Sequence, residues 1–233
     1  MSEHTLKQFD TELEEIRSKV LQMGGLVEEQ IIRALEALTT GNVTLASQVM
    51  EDDYRVNALD VAIDEDCSTV IARRQPAAKD LRMVMAVIKT ITDLERIGDE
   101  AAKIARMARS IYESDRPTVP RVSEIQHVAD IALGMLRNAL DAFARLDLAV
   151  AAKVVRQDEQ VDQAFVSILR QLITFMMEDP RTISHSIEIL FIAKAIERIG
   201  DHAKNISEYV VYLVKGKDVR YTGVDAFERE ALG

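Results

Sequence analysis

The sequence predicts an all-α fold: a tandem duplication of an antiparallel three-helix bundle, with six long helices in an elongated molecule. Only 4 Pro and 9 Gly occur in 233 residues, too few for the many tight turns of a β protein. Apolar residues make up 48% of the chain and Trp is absent, so the core must consist mainly of aliphatic side chains and Met, as in many helix bundles. A five-residue motif that occurs twice indicates the duplication.

Three helices are predicted in the first half of the chain. Apolar residues over 6–27 recur in alternating steps of three and four, which is typical of a helix with one buried seam, and turn residues at 40–42 end that helix. A second helix of about 30 residues is expected to end at Arg74, because Pro76 follows and breaks helices. A third helix covers about 79–114 and has an apolar stripe along one face. That stripe consists of Thr90, Leu94, Ile97, Ala101 and Ile104.

The second half of the chain repeats this plan. The sequence ERIGD at 95–99 recurs letter for letter at 197–201, and the segment 53–57 aligns with 158–162. Prolines at 117 and 120 mark the hinge between the two copies. The expected domains are therefore a first bundle over 1–116, a second bundle over 117–216 and a C-terminal tail over 217–233.

Each copy of the motif places two carboxylates four residues apart, on one face of a helix. The aligned upstream segments have oxygen-bearing side chains at the same spacing. Each half is therefore expected to gather four such side chains from two adjacent helices. The candidate metal ligands are Asp53, Asn57, Glu95 and Asp99 in the first half, and Asp158, Asp162, Glu197 and Asp201 in the second half.

Clustered carboxylates repel one another and raise each other's pKa unless a cation or a basic group compensates. An all-oxygen site suits hard divalent ions such as Mg²⁺, Ca²⁺ or Mn²⁺, and iron is also compatible. The sequence therefore predicts divalent metal sites, with magnesium, manganese, zinc or iron as candidates. The first site is expected to bind cations more weakly, because Asn57 stands where the second site has Asp162.

A simpler interpretation of each motif is a solvated helix face with ion pairs, such as Asp99 with Lys103 four residues later. Two features favour a site over that interpretation. The motif recurs in both halves at one register, and both copies contain a glycine inside a helix, Gly98 and Gly200. A glycine there costs about 1 kcal/mol relative to Ala, so we expect a neighbouring helix or a ligand to approach closely.

Charge and composition exclude several classes of partner and site. The net charge of −10 would repel a phosphate backbone, so nucleic acid is not an expected partner. Cys67 is the only cysteine, which rules out an intramolecular disulfide and a multi-cysteine zinc site. No signal-peptide core and no apolar membrane span is present. The expected location is cytoplasmic, with membrane association only through partners.

No pattern of an assembled catalytic site is present, so the chain is not expected to be an enzyme. It lacks a Ser/His/Asp signature, a glycine-rich phosphate loop and a dinucleotide fingerprint. Two alternatives stay open: a carboxylate-bridged metalloenzyme, which the missing paired histidine ligands count against, and a histidine phosphotransfer bundle. The second would use His127, His185 or His202, and His185 and His202 lack an obvious partner at catalytic spacing.

Together these residues resemble the PhoU family of bacterial phosphate-transport accessory proteins. The resemblance covers about 1–216, and its strongest marks are the two ERIGD motifs within two three-helix units. Further marks are the sequence ARRQP at 72–76 before the third helix and VNALDVAID at 56–64 in the second.

The resemblance implies a cytoplasmic, non-enzymatic negative regulator of the phosphate-starvation response. It implies an adaptor that couples the phosphate importer, through the ATP-binding subunit PstB, to the sensor histidine kinase PhoR. It also implies a homodimer, and metal ions on the acidic motifs.

Overall fold

A computed structural model describes residues 3–113 and 122–233. Side chains are described at 9–113 and 123–233. Every regular element in the described residues is helical. The all-α class is confirmed. A single 3-10 turn, Pro180–Thr182, precedes the last long helix. The helices are α1 (Glu3–Thr40), α2 (Val43–Asp52), α3 (Tyr54–Arg74), α4 (Ala78–Glu113), α5 (Val122–Arg145), α6 (Leu148–Glu178), α7 (Ile183–Lys215) and α8 (Val224–Leu232).

The ends of the helices follow local chemistry that the sequence shows. Gly41 has φ 67°, and Asn42 caps α2 by accepting a hydrogen bond from the Leu45 amide at 3.0 Å. Gln75 adopts a left-handed conformation directly before Pro76 and ends α3. The predicted hinge prolines lie outside the described residues.

The prediction of one continuous second helix is wrong, because the chain is interrupted at Asp53 between α2 and α3. There the Val56 amide donates to the Asp53 carbonyl three residues back, at 3.0 Å. The Asp53 side chain is held by an amide of Gln30 on α1, at 2.7 Å. A candidate site residue therefore lies at the break in the helix.

One apolar core runs through both repeats. The predicted α1 seam is buried in it from Ile16 to Val27, and the predicted stripe of α4 is also buried. The buried faces of α5, α6 and α7 continue this core. Three of the contacts between α4 and α7 show how these helices run: Glu100 with Arg198, Asp93 with His202, and Ser110 with Glu188. Residue numbers rise on α4 as they fall on α7, so these helices are antiparallel and the two ERIGD motifs meet at their crossing.

The predicted C-terminal tail contains a short helix, α8, that packs on α6. Phe227 is 1% exposed and lies in a small second apolar cluster with residues of α6 and α7. Arg156 on α6 and Glu228 on α8 form a two-bond ion pair at 2.5 to 2.6 Å. Among the described helices, none combines the length and the apolar character that crossing a bilayer requires.

Candidate metal centres

The first acidic cluster consists of Asp53, Asn57, Glu95 and Asp99 and lies where α3 packs against α4. Asp53 directly precedes α3, and Asn57 lies about one turn later on the same face. Gln30 donates from Nε2 to Asp53 Oδ1 at 2.7 Å, and Asn57 donates from Nδ2 to Asp53 Oδ2 at 3.4 Å. Two amides therefore hold the Asp53 carboxylate, and the Glu95 and Asp99 carboxylates of α4 lie near enough to feel its charge.

Like charges raise the pKa values within the first acidic cluster. Loss of hydration, and then the charges of Asp99 and Asp60, raise the pKa of Glu95 above its usual value. Loss of hydration and the charge of Asp53 raise the pKa of Asp99. The positive charge of Arg96 opposes both changes without reversing them. The surroundings therefore neutralise the cluster only in part.

The second acidic cluster lies between α6 and α7 and includes two lysine counter-ions. Lys204 donates to Asp158 Oδ2 at 2.5 Å, and Asp158 is only 4% exposed. Lys194 donates to both carboxylate oxygens of Glu197 at 2.5 Å. The members of this cluster are Asp158 and Asp162 on α6, and Glu197 and Asp201 on α7.

Repulsion persists in the second acidic cluster despite the lysines. Burial, and then the charges of Glu197, Asp158 and Asp162, raise the pKa of Asp201 to about 6. Burial and the charge of Asp158 likewise raise the pKa of Asp162. A divalent ion among these carboxylates would favour their ionised form and oppose both changes.

The two clusters differ most in their counter-ions. Thr92 and Ala102 stand in the first repeat where Lys194 and Lys204 stand in the second. Weaker cation binding at the first cluster stays a prediction that rests on the neutral Asn57. Lys194 and Lys204 argue against this prediction, because a cation at the second cluster must compete with these lysines for the carboxylates.

The motif glycines have different surroundings. A Cβ on Gly98 would lie 3.2 Å from Gln30 Oε1 and 3.5 Å from Asp53 Oδ1. A Cβ on Gly200 would meet its nearest neighbour, Val161 Cγ1, at the ordinary contact distance of 3.4 Å. Close approach therefore explains the glycine of the first motif, and the contacts of the second leave room for a methyl group.

The donor atoms of both clusters fit a hard divalent cation. Their charged donors are carboxylate oxygens, which Mg²⁺, Mn²⁺ and Ca²⁺ accept, whereas zinc favours His and Cys. Gln30 adds a buried Oε1 atom that has no hydrogen-bond partner within the described part of the chain. Over 3–113 and 122–233, no group of three or more His, Cys, Asp or Glu side chains is arranged to hold a metal ion. Cation binding would therefore require the carboxylates to rotate towards a common point.

Sequence reasoning missed four residues that shape these clusters. Asp60 lies three residues after Asn57, about one helical turn, so helix periodicity could have included it. Lys194 and Lys204 each lie three residues from a motif acid, Glu197 or Asp201, which was a usable signal. Gln30 comes from a separate helix, α1, and no local pattern predicts its contact with Asp53.

The ion pair suggested between Lys103 and Asp99 does not form. Lys103 instead forms an ion pair with Glu100 at 3.3 Å. Glu100 is 5% exposed and lies where α4 crosses α7, whereas Asp99 is exposed. Glu100 also accepts a bond from Arg198 of the other repeat at 2.6 Å. Its carboxylate therefore joins the two repeats.

Two histidines have acidic partners that the sequence analysis did not identify. His202 Nδ1 lies 2.7 Å from Asp93 Oδ1, and Asn205 donates to the same oxygen at 3.0 Å. His185 Nδ1 lies 3.4 Å from Glu188 Oε2, one turn away. The partner of His202 comes from 109 positions earlier in the chain, so sequence spacing could not reveal it.

Comparison with known sequences gives one family. The chain matches the PhoU domain at residues 20–108 and again at 125–210. It is 47% identical to the phosphate-specific transport system accessory protein PhoU homolog of Pseudomonas putida, over 100% of this chain and 91% of that protein. It is 45% identical to the phosphate-specific transport system accessory protein PhoU of Escherichia coli (strain K12), over 100% of this chain and 96% of that protein.

Solved structures agree with the sequence comparisons. The crystal structure of PhoU from Pseudomonas aeruginosa superimposes with a TM-score of 0.86 at 46% identity, covering 90% of this chain and 100% of that one. The phosphate transport system regulatory protein PhoU from Streptococcus pneumoniae gives a TM-score of 0.84 at 30% identity, covering 91% and 99%. The helical architecture is therefore shared at both levels of sequence similarity.

Proposed function

Because the chain belongs to the PhoU family, we propose that it is a negative regulator of the phosphate-starvation response and of phosphate import. The observation that carries this proposal is similarity over the whole chain to proteins named as accessory proteins of the phosphate-specific transport system. The related Streptococcus pneumoniae protein is named as a regulator of phosphate transport. These names favour a regulatory role without catalysis.

The proposed action is that of a cytoplasmic adaptor. One partner is PstB, the ATP-binding subunit of the phosphate transporter, and the other is the sensor histidine kinase PhoR. The protein would reach the membrane only through these partners. It would act as a homodimer. Each chain would consist of two repeats, with the boundary at about residue 116, and the tail 217–233. Long amphipathic helices support this role, because their faces suit the binding of partner helices.

The two acidic clusters are proposed as structural or regulatory sites for divalent cations. A bound cation would supply positive charge that neutralises the carboxylates. In the first cluster Asp53, Glu95 and Asp99 would bind it, with Asn57 as a neutral donor. In the second cluster the acids on α6 and α7 would bind it in competition with two lysines. Raised pKa values in both clusters support this proposal.

Neither alternative function gains support from the site. A phosphotransfer histidine must be reachable by a kinase, but His202 is 9% exposed and its Nδ1 lies against Asp93. His185 is half-buried and His127 is exposed, and exposure alone does not indicate a phosphotransfer site. A carboxylate-bridged metalloenzyme would require turnover that the names of the relatives do not suggest.

The experiment expresses the chain in a bacterial strain that lacks its own PhoU and carries a reporter driven by a phosphate-starvation promoter. The wild-type chain is expected to silence the reporter in high phosphate. The double variant Glu197→Ala and Asp201→Ala is expected to lose bound metal and to release the reporter. The matched control is Asp10→Ala with Glu14→Ala, two exposed α1 carboxylates at the same spacing. If the motif variant kept both metal and silencing, the site assignment would be wrong.

A further inference from the structure

A cavity of about 510 Å³ lies between the C-terminal half of α7 and the segment 220–222 that leads to α8, and Asp201 of the second acidic cluster is part of its wall. Its lining is polar on nearly every side and includes basic residues, carboxylates and two tyrosines. A cavity of this size is large enough for a whole side chain or a small ligand. The charges that face it indicate which kind.

The basic residues that line the cavity already have acidic partners. Arg198 pairs with Glu100 at 2.6 Å and Lys204 with Asp158 at 2.5 Å. Arg220 binds Asp218 through two nitrogens, at 2.6 to 3.1 Å. An anion entering the cavity would find no free cation among these three residues. The site is therefore unsuited to phosphate or another anionic ligand.

The cavity also contains a buried carboxylate that makes no hydrogen bond or ion pair with the residues that the structure describes. Glu208 lines the cavity, is 7% exposed, and forms neither a hydrogen bond nor an ion pair within the described residues. Burial raises the pKa of Glu208 to about 7, in spite of the nearby charge of Lys204. Buried carboxylates are normally paired, because an unpaired one costs free energy. A ligand that donates hydrogen bonds and carries positive charge would supply the missing partner.

Two tyrosines extend the site towards the surface. Tyr209 lines the cavity and is 9% exposed, whereas Tyr221 is 97% exposed. Tyr221 also has φ 65°, a conformation that non-glycine residues seldom adopt. Aromatic faces attract guanidinium and ammonium groups. A small cation inside the cavity would leave the Tyr221 ring in water, whereas a larger partner could cover it.

We propose that this cavity is a docking site for a basic side chain, an arginine above all, from a partner protein. The guanidinium group donates to the Glu208 carboxylate, and the chain that carries it packs against Tyr221. Arginine suits this site because its planar group makes two parallel hydrogen bonds to a carboxylate and also stacks on aromatic rings. This docking site goes beyond the proposed regulatory function and holds whichever protein supplies the arginine.

The test measures binding of a short blocked peptide, with one arginine between glycines, to the full chain by isothermal titration calorimetry. Wild type is expected to bind this peptide and to reject the same peptide with citrulline, which keeps the shape of arginine without its charge. Glu208→Gln is expected to weaken binding by about tenfold or more. Glu178→Gln removes one charge from an exposed position at the end of α6 and is expected to bind like wild type.

A second variant distinguishes a docking site for a partner protein from a pocket that binds only small free cations. Tyr221→Ala changes an exposed side chain, so the fold should persist, and we expect weaker peptide binding with unchanged binding of free arginine amide. Three results would overturn the proposal: no saturable peptide binding to wild type, equal weakening by Glu178→Gln and Glu208→Gln, or free arginine amide binding as tightly as the peptide. Circular dichroism of each variant confirms that the comparison is between folded proteins.

Discussion

Replacing Asp201 by Asn is expected to stabilise the protein at neutral pH when divalent ions are removed. Burial and three neighbouring acids raise the pKa of Asp201 from 3.8 to about 6. The folded state therefore holds a proton that the unfolded state has lost, and stability falls as pH rises through this interval. The cost is constant above about pH 6 and absent below about pH 4. Asn has the shape of Asp without the charge and avoids this cost.

The size of the effect follows from the same two pKa values. A tenfold change in an equilibrium corresponds to about 1.4 kcal/mol, so a change from 3.8 to about 6 corresponds to at most about 3 kcal/mol. Asp201 is only half-buried, and solvent screening reduces this figure to about 1 to 2 kcal/mol. A divalent ion should restore this stability to wild type by binding the folded state, adding about 2.7 kcal/mol at a hundredfold excess over Kd.

The assay is urea unfolding followed by circular dichroism, with a chelator present, between about pH 4 and pH 8. The difference in unfolding free energy between Asp201→Asn and wild type should grow from about pH 4 to pH 6 and then stay constant. Asp10→Asn, an exposed change on α1, serves as the control. The reasoning would be refuted if the difference between Asp201→Asn and wild type did not depend on pH, or if excess Mg²⁺ and Mn²⁺ stabilised both proteins equally.

Four further substitutions test the packing of the helices. Gly200→Ala should raise the free energy of unfolding by up to about 1 kcal/mol, whereas Gly98→Ala should bring no gain, because its methyl group crowds Gln30. Equal effects of the two variants in urea titrations would contradict this. Asp93→Ala removes the carboxylate that contacts the buried His202 ring and accepts a hydrogen bond from the half-buried Asn205, and it should cost about 2 to 4 kcal/mol in the same assay; a loss below about 1 kcal/mol would argue against a structural role for this contact. Phe227→Ala should detach α8, because Phe227 lies in the apolar cluster that joins this helix to α6 and α7. Limited proteolysis should then cleave the tail 217–233 while the melting temperature of the protein stays nearly unchanged; an uncleaved tail would contradict this.

Much of the helical plan was accessible from the sequence, because local signals determine it. The end of α1 at Thr40, the end of α3 at Arg74 and the span of α4 match the predictions closely. The break at Asp53 was not accessible. It coincides with a contact between Asp53 and Gln30, which are distant in the chain, and Asp53 keeps helical backbone angles of φ −57° and ψ −31°.

The candidate site was predicted less completely than the fold. Helix periodicity placed Glu95 beside Asp99, but it could not reveal that antiparallel packing of α4 on α7 brings the two motifs to one crossing. The pairs between repeats, Glu100 with Arg198 and Asp93 with His202, depend on that packing. Contacts between distant segments require the tertiary structure, whereas contacts one helical turn apart do not.

The measurement that tests the proposed adaptor role most directly is recovery of a tagged chain from cells grown in high and in low phosphate. The same purified sample is examined for bound proteins and for metal content. We expect PstB and PhoR to be recovered with the chain, their amounts to change with phosphate supply, and divalent metal to be present. Recovery of neither protein under either condition, from cells that produce both, would contradict it.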